Sequence, residues 1–396
     1  MISFADALRR VLDGVEPLGV ERLGLRAAAG RVLARDLVAT VALPRFDHSA
    51  MDGYAVDTQA FTGSGPWLLD TRGESRAGSA APTLEPGCAC RIFTGAPLPS
   101  GADAVILQED ARASGGSVSF EEAPKAGQNI RRSGDDIAVG SVALRAGSRL
   151  GAHQLGLAAA LDQVDVLVAR RPRVSIVCTG DELRAPGAPG AASSIPETNG
   201  LCVAIESERV GAHAELAPLA SDDAHATAST FAALLGTTDL LVTIGGVSVG
   251  DYDVVRPALE AAGATLDFWK VQIKPGKPLV YGRSGKTRIL GLPGNPVSAQ
   301  LTFALFGLPL LRALQGERDP LPKFRSARLL ADLRQKPGRL GFYRARSSAD
   351  GVLPLVNQAS GNVVSMADAD ALIAVPADSH GFSAGDSVEI LRLGEL

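Results

Sequence analysis

Cysteine and histidine are scarce, with four of the first and five of the second in 396 residues. Only Cys88 and Cys90 are close together, at a gap matching no common zinc spacing, and no His-Glu-x-x-His or His-x-His cluster occurs. A transition metal held by histidine or thiolate is therefore disfavoured, and reduced, structural thiols are expected. Positive charge is also wanting. The net charge of −4 and a pI near 5.8 provide no basic face to neutralise a phosphate backbone, which argues against a nucleic-acid binder. No uncharged apolar run reaches the length of a membrane span, and Met1–Arg10 carries charges where a signal peptide needs an apolar core. A cytoplasmic protein without membrane association is the expectation.

A chain of this length exceeds one hydrophobic core and predicts two to four domains. Phe4, Ala7, Leu8, Val11 and Leu12 recur at helical spacing, which predicts an amphipathic helix over 3–14. From 56 to about 140 the chain is rich in Gly, Pro and short β-type runs. After Arg170-Arg171-Pro172-Arg173 the rhythm changes to strands alternating with helices, then returns to short β-type runs beyond Asp319-Pro320. The expected fold is multidomain α/β plus β. Residues 1–45 and 141–171 form an N-terminal linking domain, whose first helix is free to pack on the α/β domain. Residues 46–140 form a small β-rich domain, 172–318 a three-layer α/β domain with a parallel sheet, and 319–396 a C-terminal β domain.

Between Leu240 and Ser298, β-type runs lead into three glycine-rich turns: Gly245–Asp253, Lys274-Pro275-Gly276-Lys277-Pro278 and Leu292-Pro293-Gly294-Asn295-Pro296. In one parallel sheet these turns meet outside the carboxyl ends of the strands, where ligands gather. The same edge collects Asp181, Glu182, Asp222, Asp223, Asp251 and Asp253. Carboxylates so clustered repel unless cations neutralise them, and Mg2+ with Lys270, Lys274 and Lys277 are the natural partners. Asn295 and Ser298 open an apolar helix, Pro296–Leu314, where free N–H groups and the dipole favour an anion. Backbone around Ser248 and Gly250 adds further donors. This is the vocabulary of a site for a phosphate-bearing ligand and a metal cation. Two loops of the small domain, 45–56 with Asp52 and 128–137 with Asp136, read singly as turn capping and solvated ion pairs. A functional role requires that they face the cleft, for which a second subunit is one route.

Eight motifs in order now carry a family resemblance. They are Phe-Asp-His-Ser-Ala-Met-Asp-Gly-Tyr-Ala-Val at 46–56, Thr-Gly-Ala-Pro-Leu-Pro at 94–99, Asn-Ile-Arg-Arg-Ser-Gly-Asp-Asp-Ile at 129–137 and Thr-Gly-Asp-Glu-Leu at 179–183. Gly-Gly-Val-Ser-Val-Gly-Asp-Tyr-Asp at 245–253, Phe-Trp-Lys at 268–270, Lys-Pro-Gly-Lys-Pro at 274–278 and Gly-Leu-Pro-Gly-Asn-Pro-Val-Ser at 291–298 complete the set. Together the chain resembles the MoeA family of molybdopterin molybdenumtransferases, to which the gephyrin E domain and its plant counterpart are related. The resemblance implies an elongated molecule with a MogA-like α/β domain and a C-terminal β-barrel-like domain. It implies that molybdate is inserted into adenylylated molybdopterin with hydrolytic release of AMP, assisted by Mg2+. Lys270, Lys274, Pro293, Pro296 and Ser298 match the oxyanion and pterin side, and Asp52, Glu182, Asp222 and Asp253 the cation and nucleotide side. Of these, Asp52, Glu182, Asp222, Asp253, Lys270 and Lys274 are the catalytic candidates, and Glu182, Asp222 and Asp253 the metal ligands. Ser248, Gly250, Lys277 and Asn295 join the substrate-binding set. Thr94 and Asp136 match positions that in the family reach the cleft from a partner subunit, so a homodimer is implied, with transient contacts to other proteins of molybdenum cofactor synthesis. His48 and Glu197-Thr198-Asn199 depart from the usual asparagine and Asp-Ser-Asn. Two other readings stand beside the enzyme: a non-catalytic molybdopterin-binding scaffold, and the preceding adenylyltransferase. Molybdate and tungstate are not distinguished.

Overall fold

A computed structural model describes residues 1–221, 223–247 and 254–396. Asp222, Ser248, Gly250, Asp251 and Asp253, named above, lie outside the described residues.

The amphipathic pattern at the N-terminus forms the helix Phe4–Leu12, capped by the Ser3 hydroxyl, which accepts the Asp6 N–H at 3.1 Å. Its buried Ala7, Leu8 and Val11 join the core of the α/β region, and the Tyr281 hydroxyl donates to the Val11 carbonyl at 2.9 Å. The rest of the first segment folds back on 142–169. Val20–Gly24 pairs antiparallel with Asp165–Ala169, and Leu37–Val38 with Val142–Leu144, over a core that includes Leu33, Leu150, Leu161 and Val168. Residues 53–120 build a six-stranded sheet with Gly53–Val56 between Ala104–Leu107 and Cys88–Ile92. A Cβ on Gly53 would lie 1.9 Å from the Ile106 carbonyl oxygen, so the close approach of these strands requires glycine there.

The α/β region is a six-stranded sheet in the order 213–216, 173–178, 240–244, 287–292, 278–284, 265–270. Strand 240–244 is buried throughout, with Leu240, Val242 and Ile244 facing one apolar cluster and Leu241 the other. Such a two-sided apolar run is what a central parallel strand requires. Helices lie on both faces: Asn199–Arg209 and the 296–314 stretch on one, Ala224–Leu235 and Val255–Ala261 on the other. The sheet has the expected parallel strands with one exception: Pro278–Ser284 runs antiparallel to both its neighbours. The reason is local. Only Gly285-Lys286 separates Ser284 from Thr287, and two residues make a hairpin whereas a parallel crossover needs a dozen or more. Since 265–270 is again reversed relative to 278–284, it runs with the parallel strands, and the described parts of the glycine-rich turns, from Gly245, Lys274 and Pro293, still emerge at one edge.

The apolar helix is Pro296–Thr302, then a π-helical turn Phe303–Gly307, then Leu308–Leu314. It is the one described helix long and apolar enough to cross a membrane, and 83% of that window is buried within the fold, as in a core helix. The C-terminal sheet runs 273–274, 340–347, 371–375, 387–392, 325–328, with 352–354 paired to 340–347. A bridge from Leu329 to Val352 joins its ends and curls it into a barrel-like shape around Tyr343, Ile373, Val375 and Ile390. Its other face, Phe342, Leu372, Ala374 and Leu391, belongs to the α/β core.

Candidate active site

At the carboxyl edge of the α/β sheet, Gly245 and Gly246 adopt φ values of +94° and +60°. A Cβ on Gly245 would stand 2.5 Å from the Thr179 carbonyl oxygen, so two strand ends are pinched together by a residue without a side chain. Beside them Leu183–Arg184 and Ile195–Pro196 form a short parallel ladder, with Ile195 N–H donating to Glu182 O and Glu197 N–H to Arg184 O, both at 2.8 Å. The ladder brings Glu182 and Glu197 onto one wall of a cavity of about 580 Å³, whose opposite wall is Pro293–Pro296. Asn199 ties the two walls, its Nδ2 donating to the Gly294 carbonyl at 2.8 Å.

A second cavity of about 320 Å³ shares Pro278 with the first. It is lined by Lys274, Gly276, Lys277, Ser298 and Arg339, and by Tyr343, Gln358 and Ser360 of the C-terminal sheet and its loops. Ile273–Lys274 is itself the edge strand of the C-terminal sheet, paired with Leu340–Gly341, which is why Lys274 stands at the seam, its Nζ 5.9 Å from the centre of the Tyr343 ring. Burial raises the Tyr343 phenol pKa, and its protonated hydroxyl donates to Gln335 Oε1 at 3.3 Å, so Tyr343 presents its ring to the cavity. The second cavity is thus cationic and donor-rich, while the first offers carboxylate and carbonyl oxygen.

The candidates divide between these cavities in a way that differs from their grouping by resemblance. Pro293, Asn295 and Pro296 line the first with Glu182, and Lys274, Lys277 and Ser298 line the second. Lys270, paired across the sheet with Pro278, lines neither. The helix start at Pro296 is less open to an anion than expected. Proline has no N–H, and the Val297 N–H donates to the Ser360 carbonyl at 3.1 Å. Asp223 is the N-cap of the 224–235 helix, its carboxylate accepting the Ala226 N–H at 2.7 Å. No group of three His, Cys, Asp or Glu side chains placed to hold a metal occurs among the described residues. Mg2+ takes only one or two protein carboxylates and completes its shell with water and substrate phosphate. Glu182 suits that role, with Asp222 and Asp253 outside the described residues.

Asp52 and Thr94 lie in loops of the 53–120 sheet and Asp136 in the segment that follows it, and among the described residues both cavities are lined only by residues from 178 to 360. Asp52 Oδ1 accepts the Thr94 N–H at 2.7 Å and its hydroxyl at 2.8 Å, and these bonds, backbone first, hold the carboxyl below its ordinary pKa. Asp136 pairs with Arg131 at 2.6 Å, both exposed. The sequence reading missed Arg339, Gln358 and Ser360 as site residues. Gln358 and Ser360 occupy a polar loop indistinguishable in sequence from an ordinary turn. The loop is held by Arg344, a 1%-exposed arginine on an apolar strand whose guanidinium donates to the carbonyls of Asn357 and Ala359 at 3.0 and 3.1 Å. A charge within an apolar strand was the available signal.

Residues 2–161 match the MoeA N-terminal region (domain I and II), 175–313 a probable molybdopterin binding domain, and 326–393 the MoeA C-terminal region (domain IV). A Haemophilus influenzae protein named molybdopterin molybdenumtransferase is 38% identical over 87% of this chain and 85% of its own. A Mycobacterium tuberculosis protein named molybdopterin molybdenumtransferase 2 is 38% identical over 93% of this chain and 94% of its own. The crystal structure of a molybdopterin biosynthesis MoeA protein from Pyrococcus horikoshii superposes with a TM-score of 0.88 at 28% identity, covering 99% of this chain and 100% of that one. The chain belongs to the molybdopterin molybdenumtransferase family.

Proposed function

We propose that this chain is a transferase of molybdenum cofactor biosynthesis, inserting molybdate at the dithiolene sulfurs of adenylylated molybdopterin and releasing AMP by hydrolysis of the phosphoanhydride. The observation that carries this reading is the pairing of an oxygen-lined cavity with a smaller cationic one across Pro278. A reaction that joins a ring-bearing phosphoanhydride substrate to a separate oxyanion needs both. The larger cavity accommodates the pterin and nucleotide portions. In the smaller one Lys274, Lys277 and Arg339 offset the charge of molybdate, while Ser298 and Ser360 supply hydroxyl donors. Mg2+ held through Glu182 supplies electrostatic screening of the phosphoanhydride.

In the same reading the protein acts in the cytoplasm as a homodimer, with Asp52, Thr94 and Asp136 of one copy completing the cleft of the other. The ionised Asp52, kept so by Thr94, is suited to accept a proton or orient water there. Contacts with other proteins of the pathway are transient. The test is incubation with adenylylated molybdopterin, molybdate and Mg2+. AMP that appears only when molybdate is present supports the reading. AMP release without molybdate dependence, or none, sinks it, and transfer of AMP from ATP to molybdopterin points instead to an adenylyltransferase.

A further inference from the structure

Glu197 is 9% exposed and lines the larger cavity, yet it has no ion-pair partner among the described residues. Arg184, whose carbonyl accepts the Glu197 N–H, spends its guanidinium on the carbonyls of Ala185 and Ala188. The donor Glu197 does have is neutral. The Gly200 N–H donates to Oε1 at 2.7 Å, and the Cys178 thiol lines the same cavity beside the carboxylate. Burial first, and the carboxylate second, push the Cys178 pKa far up, so it remains an S–H. A carboxylate offers about four acceptor positions, and a buried one without a cation is costly unless donors fill them. Next to it Asn199 spends its amide N–H on Gly294, and its Oδ1 is buried with no partner among the described residues. This wall therefore has acceptors to spare.

We propose that Glu197 is a specificity-determining residue that reads the 2-amino-4-oxopyrimidine edge of a pterin, accepting the 2-amino N–H and the ring N3–H on its carboxylate. The inference rests on the molybdopterin reading above. Two parallel N–H donors on a planar edge match the two oxygens of a carboxylate, as in other fork-shaped pairs. A cavity that leaves a buried acceptor unpaired rejects analogues lacking the donor far more strongly than an apolar wall can.

The test measures binding of pterin and of 4-oxopteridine, which lacks the amino group, to the full chain and to Glu197→Gln and Glu197→Asp. Glu197→Gln keeps an oxygen for the Gly200 N–H but turns an amide N–H toward the pterin donors. The unmodified chain should prefer pterin at least tenfold. Glu197→Gln should lose that preference with pterin binding at least tenfold weaker and AMP binding within twofold, and Glu197→Asp should recover part of it. Equal binding of the two pteridines by the unmodified chain overturns the proposal, even where Glu197→Gln fails to fold. So does a Glu197→Gln protein that discriminates as before, or one altered only in its Mg2+ requirement, which would assign the carboxylate to the cation. A parent chain that binds neither pterin nor molybdopterin overturns the underlying reading as well.

Discussion

Arg344→Met provides a direct test of how the cationic cavity is built. The Arg344 guanidinium is enclosed by the C-terminal sheet and donates to the Asn357 and Ala359 carbonyls, while the Gln358 amide bridges the Arg344 backbone, accepting its N–H at 3.0 Å and donating to its carbonyl at 2.9 Å. The next residue, Ser360, supplies the carbonyl that caps Val297. Methionine fills similar space without donors. Two charge-assisted bonds are lost, worth about 1.5–3 kcal/mol each. Against this, a buried guanidinium with no carboxylate partner, whose pKa burial lowers, is relieved of a desolvation cost of about 2–3 kcal/mol. The balance is a net loss of about 2 kcal/mol. The α/β region and C-terminal sheet share one core, so they should melt as a unit of roughly 200 residues, and the expected fall in Tm is about 4–8 °C. Activity should suffer more than stability, with molybdate-dependent AMP release down at least tenfold, because Gln358 and Ser360 lose their anchor. Differential scanning fluorimetry, the AMP assay and amide exchange at Val297 check the three links separately. A variant that melts within about 1 °C of the parent, with Val297 still protected and activity intact, refutes the reasoning.

Thr94→Val removes one of two donors to Asp52 and should raise its pKa toward the ordinary carboxylate value, read by a shift of the acidic limb of the pH–rate profile to higher pH. Because the folded pKa is depressed, its stabilising contribution is present above the unfolded pKa and lost as pH falls through the folded one. The difference in urea midpoint between parent and variant should therefore be visible at pH 6 and vanish in strong acid. Gly245→Ala combines a left-handed backbone with a contact to Thr179 O and should cost about 2–4 kcal/mol, measured by urea unfolding; a loss under about 0.5 kcal/mol would contradict the pinched strand ends. Lys274→Met should raise the KM for molybdate at least tenfold with Tm unchanged, since the ammonium is exposed at a cavity wall; an unchanged KM removes it from the oxyanion site.

Much of the α/β region was legible because strand 240–244 is apolar without alternation while its helices alternate at helical spacing, so local pattern and tertiary environment agree. The reversed strand 278–284 has a local signature that the βαβ pattern lacks: Ser284-Gly285-Lys286-Thr287 carries a two-residue hairpin, with Gly285 at φ +56°. The site was legible only where its residues sit on the turns themselves. Asp52 and Thr94 are 42 residues apart, Val297 meets Ser360 across a domain seam, and Glu197 gains its meaning from Cys178 and Gly200. None of these partnerships has a sequence period, because each is made by topology.

The Phe4 ring packs edge-on against Phe306 at 5.5 Å and against Phe342 at 5.7 Å, fastening the first helix, the central helix and the C-terminal barrel to one another. The barrel is consequently no detachable module. A chimera that exchanged residues 325–392 with those of a relative would carry in Phe342, Leu372, Ala374 and Leu391 half of a jigsaw cut to fit someone else's helices. Transplanting substrate preference between relatives therefore calls for moving the cavity-lining side chains alone, and leaving the keel beneath them in place.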